Sequence, residues 1–423
     1  MYSGLSLDQA PPISVVMRFF LTIPLFGIAL SLLLIFNPND VLTQAHPMSL
    51  AAIHLMFLGV ITMAMIGALF QMQSVLGGRS IPAARGNAFL IHLFLVIGAI
   101  SLASAFSFML PVLFVIASVF LGASLLYASS LILPLLFGGI TNDTLRGMRM
   151  ALIALSITAI LGIVMASEYA NETFSPLHEA LRASHYSLGL IGWVSLLIIA
   201  VAFQVVEMFY VTAPYSTWCK RNAFRIIAVS LFVKIVWLFL SLPFVWIFDL
   251  VIGALLFGFI VTTLKRLQQR KRRVSDVSIW FWKTGIVLLG SAVLVHGVFL
   301  WSGNSALESM ALIAYALFAL AIILAMMGKI VPFLVWFHLS SSGYMETPIM
   351  SNIIPQTRTR ALFWLFLLSA SGLLSGVVWS ELLVLGALAS LGTFLLLLFN
   401  LIVALRLYRH TLLHGTRFDT VLS

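Results

Sequence analysis

Charge is what this sequence lacks most. Only 9% of its 423 residues are charged and 62% are hydrophobic, whereas a soluble globular domain carries about 25% charged residues. So few charges cannot clothe a water-facing surface, and lipid must solvate most of the chain. Cysteine is nearly absent too. The one thiol, Cys219, excludes a disulfide framework within the chain and a multi-cysteine metal centre, and we place it in a polar loop. Acidic residues number 13 against 23 Lys and Arg, a formal charge of +10. The basic residues nevertheless punctuate apolar runs and form no continuous patch. They read as topology signals, not as a nucleic-acid surface. The first residues, MYSGLSLDQAPPISVVMRFF, show no basic n-region followed by a short apolar core and cleavage site, so no cleavable signal peptide is expected.

What is there is a series of long apolar runs. A span needs about 20 apolar residues to cross a hydrocarbon core of about 30 Å. Runs of that length fall near 14–36, 49–73, 87–108, 111–137, 149–169, 184–212, 224–244, 246–264, 279–301, 308–333, 361–379 and 382–408. The predicted fold is therefore an all-α integral membrane protein of about twelve helices forming one transmembrane domain over 1–423. The breaks at 108–111 and 243–246 are short enough to predict tight hairpins. With the N-terminus inside, 21 of the 23 Lys and Arg residues fall on the inner side. Arg182 falls outside and Lys234 within a span, while Asp40, Glu168, Glu172, Glu179, Glu308 and Glu381 fall outside. That partition predicts cytoplasmic termini and a cell (inner) membrane location. KRLQQRKRR at 265–273 reads as an inside loop, also able to touch anionic lipid.

The spans group as three pseudo-repeats of four, near 14–137, 149–264 and 279–408. Helix 2 reads HLMFLGVITMAMIGALFQ from His54, and helix 6 reads HYSLGLIGWVSLLIIAVAFQ from His185. Each opens on His, carries Leu-Gly soon after and closes on Phe-Gln. Tyr315 of helix 10 continues the series, with steps of 131 and 130 residues, and Asn87-Ala88-Phe89 recurs as Asn222-Ala223-Phe224. Sites in repeat proteins of membranes commonly lie between repeats.

This topology places His46, His54, His178, His185 and His296 toward the outer leaflet, and His92, His338, His410 and His414 toward the inner one, the last two read as tail residues. A neutral imidazole ligates haem iron, copper or zinc, and imidazoles from different helices at one depth build such a site inside a bundle. His54, His185 and His296 are the candidate ligands, with Tyr315 as the third-repeat counterpart. His46 and His178 read as interfacial side chains. His46-Pro47 is expected to open helix 2, and Ser175-Pro176 to supply the N-cap and first residue of helix 6. Lys234, about twelve residues into its span, is expected near the midplane, where a charge is costly and faces the bundle interior. Glu207 and Lys329 sit at corresponding levels of helices 6 and 10 and form a candidate ion pair. Met63, Met65, Met326 and Met327 recur at helical spacing and read as packing residues.

Twelve helices in three groups of four, with a His near the outer end of helix 2 and the string Met65-Ile66-Gly67-Ala68-Leu69-Phe70-Gln71 after it, resemble subunit I of the haem-copper oxidase superfamily, in particular its nitric oxide reductase branch. The resemblance covers the whole chain in architecture. It implies that His54 ligates a haem and that His185 occupies the helix supplying a copper or iron ligand. Helix 7, FRIIAVSLFVKIVWLFL, carries no His pair, and helix 10 has Tyr315 and no His until His338. The implied protein lacks a complete oxygen- or nitric-oxide-reducing centre. It looks more like the NnrS-type haem- and copper-binding membrane proteins, although the His-Glu-Met helix start associated with them is missing here. The expectation is a haem- or metal-binding protein, holding haem b or copper, in redox, nitric-oxide-related or metal and haem handling, with a respiratory or redox membrane complex as its partner and no nucleic acid. The alternative is a secondary transporter with Lys234 in its path.

Overall fold

Long apolar stretches with little charge satisfy their backbone in lipid only by coiling into helices, and the computed structural model is helical throughout. It describes residues 9–43, 45–137, 143–271 and 276–418. In chain order the helices are α1 (Ile13–Phe36), α2 (Pro47–Gly77), α3 (Ala84–Phe108), α4 (Pro111–Leu136), α5 (Asp143–Asn171), α6 (His178–Phe209), α7 (Thr217–Phe239), α8 (Trp246–Gln268), α9 (Val277–Ser302), α10 (Ser305–Ser341), α11 (Gln356–Ser375) and α12 (Ser380–His414). All but α11 are long and apolar enough to cross a membrane, eleven among the described residues. The chain is an all-α, multi-pass membrane protein. α10 and α12, with 37 and 35 residues, are each more than about 50 Å long at 1.5 Å per residue and outreach the hydrocarbon core.

Local chemistry sets the helix ends. His46 caps α2, its Nδ1 accepting from the Met48 amide at 3.2 Å with Pro47 in the first turn, as the sequence predicts. Ser216 caps α7 by accepting from the Cys219 amide. That cap starts α7 seven residues earlier than the apolar run, and it puts Cys219 in the first turn of a helix, not in a loop. α6 begins at His178, because Ser175 and Pro176 form a turn in which the Ser175 hydroxyl accepts from the Leu177 amide. The α3–α4 link is as tight as expected, but residues 240–245 separate α7 from α8. His410 and His414 belong to the last turns of α12, their rings 4.8 Å apart.

Three helices occupy the centre. In the apolar stretches of α2, α6 and α10, 72%, 72% and 78% of residues are buried, against 22–44% in the other eight spans. The methionines singled out by spacing, Met63, Met65, Met326 and Met327, are all buried in this core. Around it, close approaches rely on glycine. A Cβ on Gly372 of α11 would come within 2.5 Å of the Gly386 backbone of α12, so these two helices touch main chain to main chain.

Contacts between helix ends define two faces. Arg18 lies over the Phe89 ring, the Tyr210 hydroxyl donates to Ser278, Tyr215 bonds Thr263, and Lys329 pairs with Asp276. These contacts join the starts of α1, α3 and α9 to neighbouring ends of α6, α8 and α10 on what we term the basic face. Phe106–Phe114, Tyr169–Phe174 and Lys234–Asp249 contacts mark the opposite face.

Candidate functional site

α2 and α6 share an uncommon feature. α2 widens into π geometry over Leu55–Thr62, and α6 does so over Leu188–Ser195. Single π turns in α-helices occur frequently at functional sites. The two segments begin 133 residues apart, and each starts within three residues of a histidine. His54 and His185 are both the eighth residue of their helix, so they enter the bundle to the same depth from the opposite face.

The two imidazoles meet. Their ring centres are 6.4 Å apart and tilted by 36°. Each ring is held by its Nδ1, that of His54 on the Leu50 carbonyl at 2.7 Å and that of His185 on the Thr158 carbonyl of α5 at 3.0 Å. A carbonyl only accepts, so Nδ1 carries the proton in both rings and each Nε2 presents a lone pair. Anchoring one nitrogen on a backbone carbonyl is how metal-ligating imidazoles are commonly oriented. The His54 ring also stacks on Phe106 at 5.4 Å. Phe106 in turn meets Tyr169 and Phe114, an aromatic roof between the pair and the opposite face.

Two ligand-to-metal bonds of about 2.0 Å, plus about 1.2 Å from each nitrogen to its ring centre, put two imidazoles flanking one metal in line about 6.4 Å apart. The observed separation of the ring centres equals that length. Among the described residues no group of three or more His, Cys, Asp or Glu side chains converges as a metal site, so no third such side chain joins the two imidazoles.

Tyr315 comes to the same place with another task. Its hydroxyl donates to the Leu190 carbonyl inside the α6 π segment. Its oxygen can then accept only from Ser195, whose Oγ lies 2.7 Å away. Its ring stacks on Phe57 of the α2 π segment at 6.4 Å. The two segments also bond directly, Trp193 Nε1 donating to Thr62 Oγ1 at 3.0 Å. Tyr315 thus ties both widened turns together, its hydroxyl bonded to two groups of α6. Sequence spacing marks Tyr315, but nothing in it marks Trp193, Thr62 or Ser195, which read as ordinary residues of apolar spans.

His296 stands elsewhere, within electrostatic reach of Lys234 and Asp249 and beside Phe299. Lys234 is not central in its helix. It lies five residues from the end of α7, and its Nζ bonds Asp249 in the first turn of α8 at 2.5 Å. It thus lies toward the α7–α8 turn, and the buried ammonium has Asp249 as its counter-ion. Glu207 and Lys329 do not pair with each other. Glu207 holds Lys220 at 2.7 Å and accepts from the Tyr215 amide at 2.8 Å, while Lys329 holds Asp276. Each finds its partner in or beside a connecting segment, Lys220 in the first turn of α7 and Asp276 at the N-cap of α9. Of the remaining histidines, His178 bonds Glu168 at 2.5 Å, and His92 bonds Thr22 at 2.7 Å.

Asp276 supplies a pH test of the basic face. Burial pushes its carboxyl up, but the hydrogen bond and charge from Lys329, with bonds from the Ser278 hydroxyl and amide, outweigh burial and hold it below the ordinary range. A depressed folded pKa contributes stability above the unfolded value of about 4, lost as pH falls through the folded value. Melting temperature measured from pH 6 to pH 3 is expected to fall less steeply in Asp276→Asn than in the parent. Parallel curves would show that this pair is not thermodynamically linked to folding.

No family model matches the chain, and no curated protein matches it.

Proposed function

We propose that this chain is a haem- or metal-binding polytopic membrane protein in which His54 and His185 flank one iron or copper centre. The observation that carries the reading is the pair of imidazoles, 6.4 Å apart, each with Nδ1 fixed on a carbonyl and Nε2 left to coordinate. α11, at 20 residues, is the twelfth span of this reading. The matched π segments on α2 and α6, with Tyr315 of α10 closing them, support three pseudo-repeats around a central site and the arrangement of the oxidase-like fold. The positive-inside rule makes the basic face cytoplasmic. Bound iron or copper would supply a redox-active centre beneath the opposite face. Among the described residues the site offers two imidazole nitrogens that would hold the metal and an aromatic enclosure, with no third His, Cys, Asp or Glu converging on them, so it suits binding or electron handling in redox, nitric-oxide-related or metal and haem handling better than catalytic reduction of a gas. A respiratory or redox complex is the class of partner such a centre would serve.

The test is an absorption spectrum and metal analysis of protein purified in mild detergent. The expected result is either a Soret band or one copper or iron per chain, reduced by more than about tenfold in His54→Ala and in His185→Ala, and unchanged in His296→Ala. Absence of both signals from the parent, or their full retention in both variants, would overturn the reading.

A further inference from the structure

A cleft of about 500 Å³ opens on the basic face between the starts of α1 and α3 and the ends of α10 and α12. Ser14, Arg85, His338 and Tyr408 line it together with Ala10, Pro12 and Ile13, and no acidic side chain does. Arg18 follows Ser14 by one helical turn and so shares its face of α1. Its guanidinium lies 5.0 Å over the ring of Phe89, itself one turn beyond Arg85 on α3. The two arginines therefore straddle one α1–α3 seam, a turn apart. Below them Thr22 and His92 bond to each other and close the seam. Two polar nitrogens here lack partners among the described residues: Arg18 Nη1, a donor, and His338 Nε2 are both buried without a hydrogen bond. Unmade bonds of buried polar groups are costly, and a ligand able to accept from them is favoured.

The chemistry of this cleft is that of an anion receptor. Its wall offers the Arg85 guanidinium, a group whose forked geometry matches tetrahedral oxyanions, with a ring nitrogen and two hydroxyls, and the Arg18 guanidinium lies one turn along the adjoining seam. It sits where helix ends meet the membrane boundary, a place where basic pockets between helices take up anionic headgroups. We propose that the cleft binds a phosphate anion, either as the headgroup phosphate of an anionic phospholipid or as free phosphate. This site is separate from the histidine pair.

The experiment uses the full chain in bilayer discs of phosphatidylcholine, with and without phosphatidylglycerol, and in a second arm titrates inorganic phosphate into neutral discs. Native mass spectrometry counts retained phosphatidylglycerol, and thermal unfolding reads stabilisation by phosphate. The expected result is retention of phosphatidylglycerol that weakens by about tenfold or more in Arg18→Gln/Arg85→Gln. The exposed Arg79 and Arg360 lie off the cleft, so Arg79→Gln/Arg360→Gln, with the same change in charge, should retain the lipid. Stabilisation by phosphate without lipid retention, with the same dependence on Arg18 and Arg85, assigns the site to the free anion. Arg85→Gln alone, at an exposed position, provides the reading if the double variant does not fold. Equal loss in both double variants, or no retention and no stabilisation in the parent, would overturn the proposal.

Discussion

Lys234→Met is expected to lower the stability of the fold by about 3 kcal/mol, the lower end of the cost of breaking a buried ion pair from one side. Lys234 is 4% exposed and the Asp249 side chain 17%. Their bond at 2.5 Å joins α7 to α8 across residues 240–245, and the ammonium also lies 5.8 Å over the Tyr186 ring of α6. Removing the ammonium leaves a carboxylate in a low-dielectric setting with no counter-ion. The residual exposure of Asp249 lets water offset part of that cost, hence the lower end of the range. Lys234→Met/Asp249→Leu should recover much of the loss, because a buried pair replaced by apolar side chains of similar volume is often neutral. Thermal unfolding in detergent measures both. If the single and double variants were equally destabilised, packing around α7 and not the ion pair would be the cause. Here the ammonium is paired with Asp249 across a helix hairpin, and the binding reading centres on the histidines.

The sequence makes the helices and the depth of the histidines legible, because apolar length and basic punctuation are direct consequences of the solvent. The 131-residue step from His54 to His185 predicts equal depth, and the two rings do meet. Side-chain pairing is much less legible. Equal level on helices 6 and 10 singled out Glu207 and Lys329, yet their partners are Lys220 and Asp276, which lie in or beside connecting segments whose path no periodicity encodes. Asp249 was hidden as the partner of Lys234 for the same reason, since the register of α7 against α8 depends on how residues 240–245 turn. Apolar length understates a helix wherever a cap recruits polar residues, as Ser216 does for the first turn of α7. The π segments have no period of their own. Glycine is the visible trace: a Cβ on Gly59 would meet Phe26 at 2.4 Å, and one on Gly192 would meet Ala154 at 2.7 Å. Tertiary contacts then decide where the ladder widens.

Those contacts converge on one hydroxyl, so Tyr315→Phe is expected to cost about 1–3 kcal/mol, the penalty for leaving buried hydrogen-bonding groups unsatisfied. The substitution keeps the ring, and with it the stacking on Phe57 at 6.4 Å. It removes the donor to the Leu190 carbonyl and the acceptor for Ser195. Both lost partners lie in the π segment of α6, so the effect should be local. Hydrogen exchange over 188–195 should accelerate, while exchange over 55–62, which keeps its Thr62–Trp193 bond, should change little. His185 stands three residues before the loosened segment, with its ring tied to Thr158 of another helix. A loosened segment would free the backbone of His185 while its Nδ1 stays anchored, and binding at the pair should weaken without being abolished. Unchanged exchange over 188–195 would mean that the widened turn is held by helix packing alone, with Tyr315 a bystander to the histidine pair.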